Sequence, residues 1–226
     1  MIDQKALSVQ VYDILKEQII SDQLKPGDRL SLEQLTQEFG VSRSPVKVAL
    51  DQLQMEGLVA VAKNRGTFVN TLSDRDVLEM LGIREMIEQY AAEQMRLPAD
   101  PHVIRELQRL MDEEANLVPG LDKEAFIRWN EINGLFHECL VQASENHQLT
   151  KMYKKLNIRL VILRSYRVRP LRPADEVHAE HMALVRAVAE TDRAALSTAL
   201  GRHTSHAREA FQRLRTQPAS GERTGP

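Results

Sequence analysis

The chain has 226 residues, a formal net charge of −2 and 42% hydrophobic residues, which suits two folded domains and excludes wholesale disorder and a histone-like polycation. A near-neutral total does not exclude nucleic-acid binding, because a small basic face disappears in the sum. One cysteine, Cys139, excludes an internal disulfide framework and any cysteine-based zinc site.

The first ten residues lack the basic-then-apolar pattern of a leader. A first helix carries Tyr12, Leu15 and Ile19 on one face and ends before the turn sequence Lys25-Pro26-Gly27-Asp28. A second opens at Ser31 with Gln34 three residues on, a capping-box pattern. Its apolar face is Leu32, Leu35 and Phe39, and Gly40 supplies the permissive residue past its end. A third opens at Ser42. Pro45 falls at its third helical position, where the missing N–H would have been unpaired, so Ser42 is expected to cap the amide of Ser44. Val46, Ala49, Leu50 and Leu53 face inward; Arg43, Ser44, Lys47, Asp51 and Gln54 face outward. After Gly57, Leu58 to Val61 and Thr67 to Val69 flank a Lys63-Asn64-Arg65-Gly66 turn, a two-stranded hairpin with a basic tip. Helix, tight turn, helix and hairpin make a winged helix over residues 6–70.

Residues 1–70 hold eight Lys/Arg against nine Asp/Glu, so this unit is not basic as a whole. Between 41 and 69, however, Arg43, Lys47, Lys63 and Arg65 face only Asp51 and Glu56, which concentrates positive charge on helix three and the wing tip. Arg43, in the first turn of that helix, is placed to enter a major groove and pair with guanine. On pattern alone a small helical domain with solvated charges stands nearly level with a DNA reader. The run from Leu24 to Val69 resembles the winged helix-turn-helix of the GntR family of bacterial transcription regulators, through its PGDRL segment, FGVSRSPV start, EGL exit and RGTFV wing. That resemblance implies contacts to a double-stranded DNA operator from Arg29, Arg43, Ser44, Lys47 and Gly66, and the basic Arg65 beside Gly66 at the wing tip is a further DNA-binding candidate. Where the family more often has Arg-Glu-Ala-Leu, this chain has Lys47-Val48-Ala49-Leu50, and lysine is a point charge rather than a fork.

From Ser73 the pattern is amphipathic helices without strand signal, read as 74–97, 101–117, 122–144, 147–168, 173–190 and 192–215. Asp122, Asn146 and Thr191 are the expected caps, and the mainly helical chain closes with a tail at 217–226 of disordered composition. The helical unit spans 74–216 and has the length to enclose a cavity. The longest strongly apolar patch, Leu160 to Leu163, is far short of a membrane span, so a soluble, cytoplasmic protein with no membrane partner is expected. Seven histidines occur. Asn133 and His137 are four apart on one helical face, while His181 and His203 stand beside apolar stripes on two later helices. An i,i+4 pair plus two single histidines is a metal-site plan, suited to zinc, nickel, copper or iron; His178 and His206 follow as outer partners or exposed residues. Alone, each histidine reads more readily as a surface or core residue.

The segments NGLFHECLVQASENHQL, EHMALVRAVAETDRAAL and LGRHTSHARE resemble the FCD ligand-binding domain of the FadR-like branch, and the helix count and short linker lean to its VanR-like subgroup. The resemblance implies a divalent metal, zinc or nickel, held by Asn133, His137, His181 and His203. Many relatives have Asp where Asn133 stands; the amide brings no charge, which weakens metal binding and favours an anionic ligand. GIREMIEQYAAEQM resembles the first FCD helix, in which Arg84 matches a cavity-facing arginine that would hold a carboxylate; the alternative is a surface pair with Glu88. Arg159 and Arg164 are further candidates for the cavity. Cys139 and Trp129 read as packed side chains, Trp129 in the core or at an interface. The expected protein is a homodimeric, ligand-responsive repressor with a small carboxylate effector. The alternatives are a DNA-binding protein whose helical domain is metal-free or only dimerises, and a metal-dependent enzyme, against which stands the lack of a general base or nucleophile motif.

Overall fold

The structure is a computed structural model that describes residues 4–21, 23–63, 65–165 and 171–216. Its N-terminal part contains α1 (Gln4–Ile20), β1 (Arg29–Leu30), α2 (Leu32–Phe39), α3 (Arg43–Met55), β2 (Val59–Ala62) and β3 (Gly66–Val69). The inward faces expected of the first three helices come together: Tyr12, Leu15, Ile19, Leu35, Val46, Ala49, Leu50 and Leu53 bury in one core with Leu30, Leu58, Val59 and Val69. Ser31 Oγ accepts from the Gln34 amide at 3.4 Å, and Gly40 adopts the left-handed conformation that ends α2. Tyr12 donates to both carboxylate oxygens of Glu56, at 2.7 and 2.8 Å, and so ties α1 to the end of α3.

Two expectations change here. The hairpin is part of a three-stranded antiparallel sheet in the order β1-β3-β2, because Arg29 and Leu30 pair with Phe68 and Thr67. Ser42 is the N-cap residue of α3 but its side chain makes no cap hydrogen bond. The amide that an N-cap hydroxyl ordinarily accepts from at the third position is the one Pro45 lacks.

The remainder is α4 (Asp74–Gln94), α5 (Pro101–Leu117), a 3-10 turn at Val118–Gly120, α6 (Lys123–Gln142), α7 (His147–Ser165), α8 (Ala174–Ala189) and α9 (Arg193–Thr216). Six α-helices were expected and six are present among the described residues, several ending earlier than read. Ser73 and Asp76 form a reciprocal capping box at the start of α4. Asp122 caps α6 by accepting from the Ala125 amide at 2.8 Å, and Asn146 accepts from Leu149 at 3.0 Å. Thr191 is not the cap of the last helix. It takes a positive φ of 62° that ends α8, and Asp192 accepts from the Ala195 amide at 2.9 Å instead. Arg193, next in the chain, donates to the carbonyls of Ala92, Glu93 and Met95 at 2.5–2.6 Å. A cation thus meets the free carbonyls and negative dipole end of α4.

α5 packs between α6 and α8, and α4 lies against α9. Leu107, Leu110, Met111, Ile132, Phe136, Leu140, Leu184, Val188, Leu196 and Leu200 fill the space between them. A second small core forms where Phe126 and Trp129 meet Ala174 and Val177, which puts Trp129 inside the fold. Cys139 packs partly buried on the main core, and burial pushes its thiol up to about 11, which leaves it unreactive. Among the described residues no helix is long and apolar enough to cross a membrane. The side chains of Arg159 and Arg164 and the whole of the 217–226 tail lie outside the described residues.

Candidate functional site

Two regions gather the residues singled out above. In the first, Arg43, Ser44 and Lys47 are all exposed along the outer face of α3, with Val46, Ala49 and Leu50 buried behind them. Arg65 is exposed at the wing tip, and Arg29 is exposed on the edge strand β1. Arg29 and Gly66 prove to be neighbours. A Cβ on Gly66, whose φ is +110°, would lie 3.3 Å from Arg29 Nε. The missing side chain therefore leaves room for the guanidinium to lie across the wing.

The second region is polar and lies inside the helical part. His137 and His181 are fully buried, and His203 and Asn133 nearly so. The Nε2 atoms of His137 and His181 are 3.3 Å apart, and Asn133 Nδ2 is 3.3 Å from His181 Nε2. One ligating nitrogen from each of His137, His181 and His203 lies within 4.8 Å of the others. The 3.6-residue helical period places Asn133 over His137, as the i,i+4 spacing requires. All four sequence-predicted ligand candidates are thus brought together.

Three glutamates stand behind the histidines: Glu114 and Glu180, absent from the sequence reading, and Glu88, which entered it only as a surface partner of Arg84. Glu180 accepts from His203 Nδ1 at 2.8 Å, Glu114 from His181 Nδ1 at 3.1 Å, and Glu88 lies 3.2 Å from His137 Nδ1. A proton held on Nδ1 of His181 and of His203 leaves Nε2 as the lone-pair donor facing the centre, the arrangement found behind metal-bound histidines, whereas His137 Nδ1 makes no hydrogen bond to Glu88. Two nitrogens each about 2 Å from a common ion stand about 3 Å apart, so the 3.3 Å separation suits a shared cation. Burial, with the nearby Arg84 charge, holds His137 well below its ordinary value, and burial takes His203 down to about 4. Both are neutral near pH 7, as ligands must be. These residues therefore fit a metal ion. Asn133 would ligate through Oδ1, with its amide turned from the Nδ2-inward orientation.

Burial works against ionisation of Glu88, but Arg84, then His137 and Tyr153, overcome it and hold the carboxyl well below the usual range. Glu114 and Glu180 are lowered in the same way, against burial, chiefly by His181 and by His203 with Arg172. His178 and His206 both prove to be outer partners: His178 Nδ1 meets Glu114 at 2.8 Å and His206 Nδ1 meets Glu180 at 2.6 Å.

Arg84 does pair with Glu88, its Nε donating to Oε1 at 2.7 Å, yet the pair is not on the surface: the side chains are 3% and 0% exposed. Burial disfavours the Arg84 cation, and Glu88 and Tyr153 more than restore it. Its Nη2 is buried without a partner. Arg84 also lines a cavity of about 500 Å³, mouth included, together with Asn133, His203, Arg172, Asn130 and an apolar wall that includes Phe126 and Trp129. Arg172 reaches that cavity while donating to both oxygens of Glu180. The site thus combines a candidate metal centre, a buried guanidinium with a spare donor, and an apolar wall.

The helical part matches the description "FCD domain" over residues 79–206, and "Bacterial regulatory proteins, gntR family" matches residues 7–69. An uncharacterized HTH-type transcriptional regulator of Bacillus subtilis, YdhC, is 30% identical over 199 residues, covering 88% of each chain. The HTH-type transcriptional repressor RspR of Escherichia coli is 23% identical, covering 92% of this chain and 90% of its own. Among solved structures, E. coli McbR/YncC superposes with a TM-score of 0.76 at 25% identity, over 96% of this chain and all of that one. A GntR regulator from a Rhodococcus species gives 0.79 at 21% identity, over 93% and 99%, a likeness of fold.

Proposed function

The chain belongs to the GntR family of bacterial regulatory proteins, with an FCD domain behind its winged helix, and from that premise we propose that it is a cytoplasmic, homodimeric repressor released from its operator by a small carboxylate. That it is a DNA-binding transcriptional regulator and not an enzyme follows from the family. The remainder rests on one observation. Arg84 presents a buried, unpartnered Nη2 at a cavity shared with His203 and Asn133.

Exposed Arg43, Ser44 and Lys47 would face the major groove from α3, with Arg29, Arg65 and Gly66 at the wing. Phosphate contacts from such groups set affinity and orientation, and base contacts set sequence. Two copies related by a twofold axis would read a palindrome. In the helical domain, His137, His181, His203 and Asn133 would hold a divalent ion, zinc or nickel by the imidazole-rich donor set. Bound there, the ion would supply positive charge to the oxygen of an acid. Arg84 and Arg172 stand against Glu88, Glu114 and Glu180, so the protein's own charge at the site is one unit negative. Acid binding is therefore expected only in metal-loaded protein, with Arg84 Nη2 donating to the carboxylate. An acid that prefers the arrangement unable to bind DNA lowers operator affinity; one indifferent to it does nothing.

The test is selection of randomised duplex DNA by the purified full chain, followed by anisotropy titration with and without carboxylic acids. Wild type should enrich a palindrome and Arg43→Ala should not. At least one acid should raise the melting temperature of metal-loaded protein by mass action and weaken operator binding. Metal-free wild-type protein that still binds acids, or a palindrome enriched by the variant, contradicts the proposal.

A further inference from the structure

Asn130 stands on α6 one turn before Asn133 and is fully buried. Neither its Nδ2 nor its Oδ1 has a hydrogen-bond partner, yet it lines the cavity. A buried amide left unpaired costs free energy that a leucine of similar size would not. The neighbours do not explain its retention for packing: Phe126, Trp129, Leu171, Val177 and Ala207 around the same cavity are apolar. Trp129 Nε1, stacked beside Phe126 with ring centroids 6.0 Å apart, is a second buried donor without a partner.

A carboxamide offers a donor and an acceptor side by side. A carboxylate would satisfy Nδ2 and be repelled by Oδ1; an ammonium would satisfy Oδ1 alone. A hydroxyl donates to Oδ1 and accepts from Nδ2, and a second carboxamide does the same with two groups. Residues three apart on a helix are about 5–6 Å apart, so Asn130 is one turn away from the end of the cavity where Asn133 and His203 lie. We propose that Asn130 is the specificity-determining residue of this cavity, selecting acids that carry a hydroxyl or carboxamide on an apolar body one helical turn from the carboxylate. This rests on the reading of an acid at Arg84 and adds the second polar group to it. Sites that hydrogen-bond a ligand hydroxyl reject analogues lacking it, because the protein groups are then left unpaired.

The experiment uses metal-loaded full chain and matched probes: benzoate against 3- and 4-hydroxybenzoate and 4-carbamoylbenzoate, and hexanoate against 6-hydroxyhexanoate. Affinities come from calorimetry, with melting temperatures in parallel, for wild type, Asn130→Leu and Asn130→Ala. In at least one set the substituted acid should bind wild type about tenfold tighter than its parent. That preference should vanish in both variants. Without ligand, Asn130→Leu should melt higher than wild type, since an unpaired amide has been removed. Equal binding of parent and substituted acids to wild type, a preference that survives both substitutions, or a lower melting temperature for Asn130→Leu overturns the inference and leaves the acid site standing. If no acid of the set binds wild type and Arg84→Met is indistinguishable from it, the acid reading falls and this inference falls with it.

Discussion

Replacing Arg84 by Met tests whether the ion pair beside the histidines is as buried as its geometry states. The substitution removes a guanidinium whose Nε lies 2.7 Å from Glu88 Oε1, in a pair with side-chain exposures of 3% and 0%. Glu88 is then left with the Tyr153 hydroxyl at 2.6 Å and His137 Nδ1 at 3.2 Å. Burial, no longer opposed by a full positive charge, drives its carboxyl upward. Breaking a buried pair from one side costs about 3–5 kcal/mol, which for a chain of this size lowers the melting temperature by about 10 °C. Adding Glu88→Leu removes the stranded charge and should recover most of that loss. What remains is the lost partner of Tyr153, about 1 kcal/mol. Urea unfolding of the four metal-free proteins closes a double-mutant cycle. An Arg84→Met protein that melts within about 2 °C of wild type, or a double variant no more stable than the single, refutes the reasoning.

Three other outcomes follow from the same geometry. His203 has a folded pKa of about 4 against 6.5 for the free side chain, with burial the largest cause. Between those values the unfolded chain binds more protons, so metal-free protein should lose about 3 kcal/mol as pH falls through that window and be flat above it. His203→Phe should flatten that slope in a melting-temperature series, and an unchanged slope contradicts the assignment. Asn133→Asp adds a negative charge next to His181. Chelator competition should show tighter metal binding and calorimetry weaker acid binding; acid affinity equal to wild type counts against the charge argument. Gly66→Ala forces an L residue to a φ of +110° and crowds Arg29 Nε. It should cost about 1–2 kcal/mol of stability and weaken operator binding, and full operator affinity in the folded variant removes Arg29 and Gly66 from the interface.

The winged helix was almost wholly legible because its signals are local. Ser31, Gly40, Pro45 and the apolar spacing within each helix specify the elements and their inward faces. The strand at Arg29–Leu30 was not, since two residues are too few for alternation to show. In the helical domain the histidines were legible from spacing and resemblance, but the carboxylates behind them were not. Glu180 directly precedes His181 yet serves His203, and Glu114 reaches His181 across 67 residues. Such pairings belong to helix packing and have no period. A signal existed for Glu114: it completes the stripe Leu107, Leu110, Met111 at helical spacing, where a charge is out of place unless paired. Asn130 likewise lies three and seven residues from Asn133 and His137, on the face already known to point inward. The surface reading of Arg84 and Glu88 failed because an i,i+4 pair in sequence carries no mark of depth.

The glutamates behind the histidines have a consequence for what the regulator can sense. Neutral near pH 7, His137 and His203 would have no proton to surrender when an ion arrives, so metal occupancy there would decouple from ordinary swings in acidity. A bound cation would then be a fixed part of the receptor. The cell's chemistry would then reach the operator through the identity of a dissolved acid and not through the proton it carries.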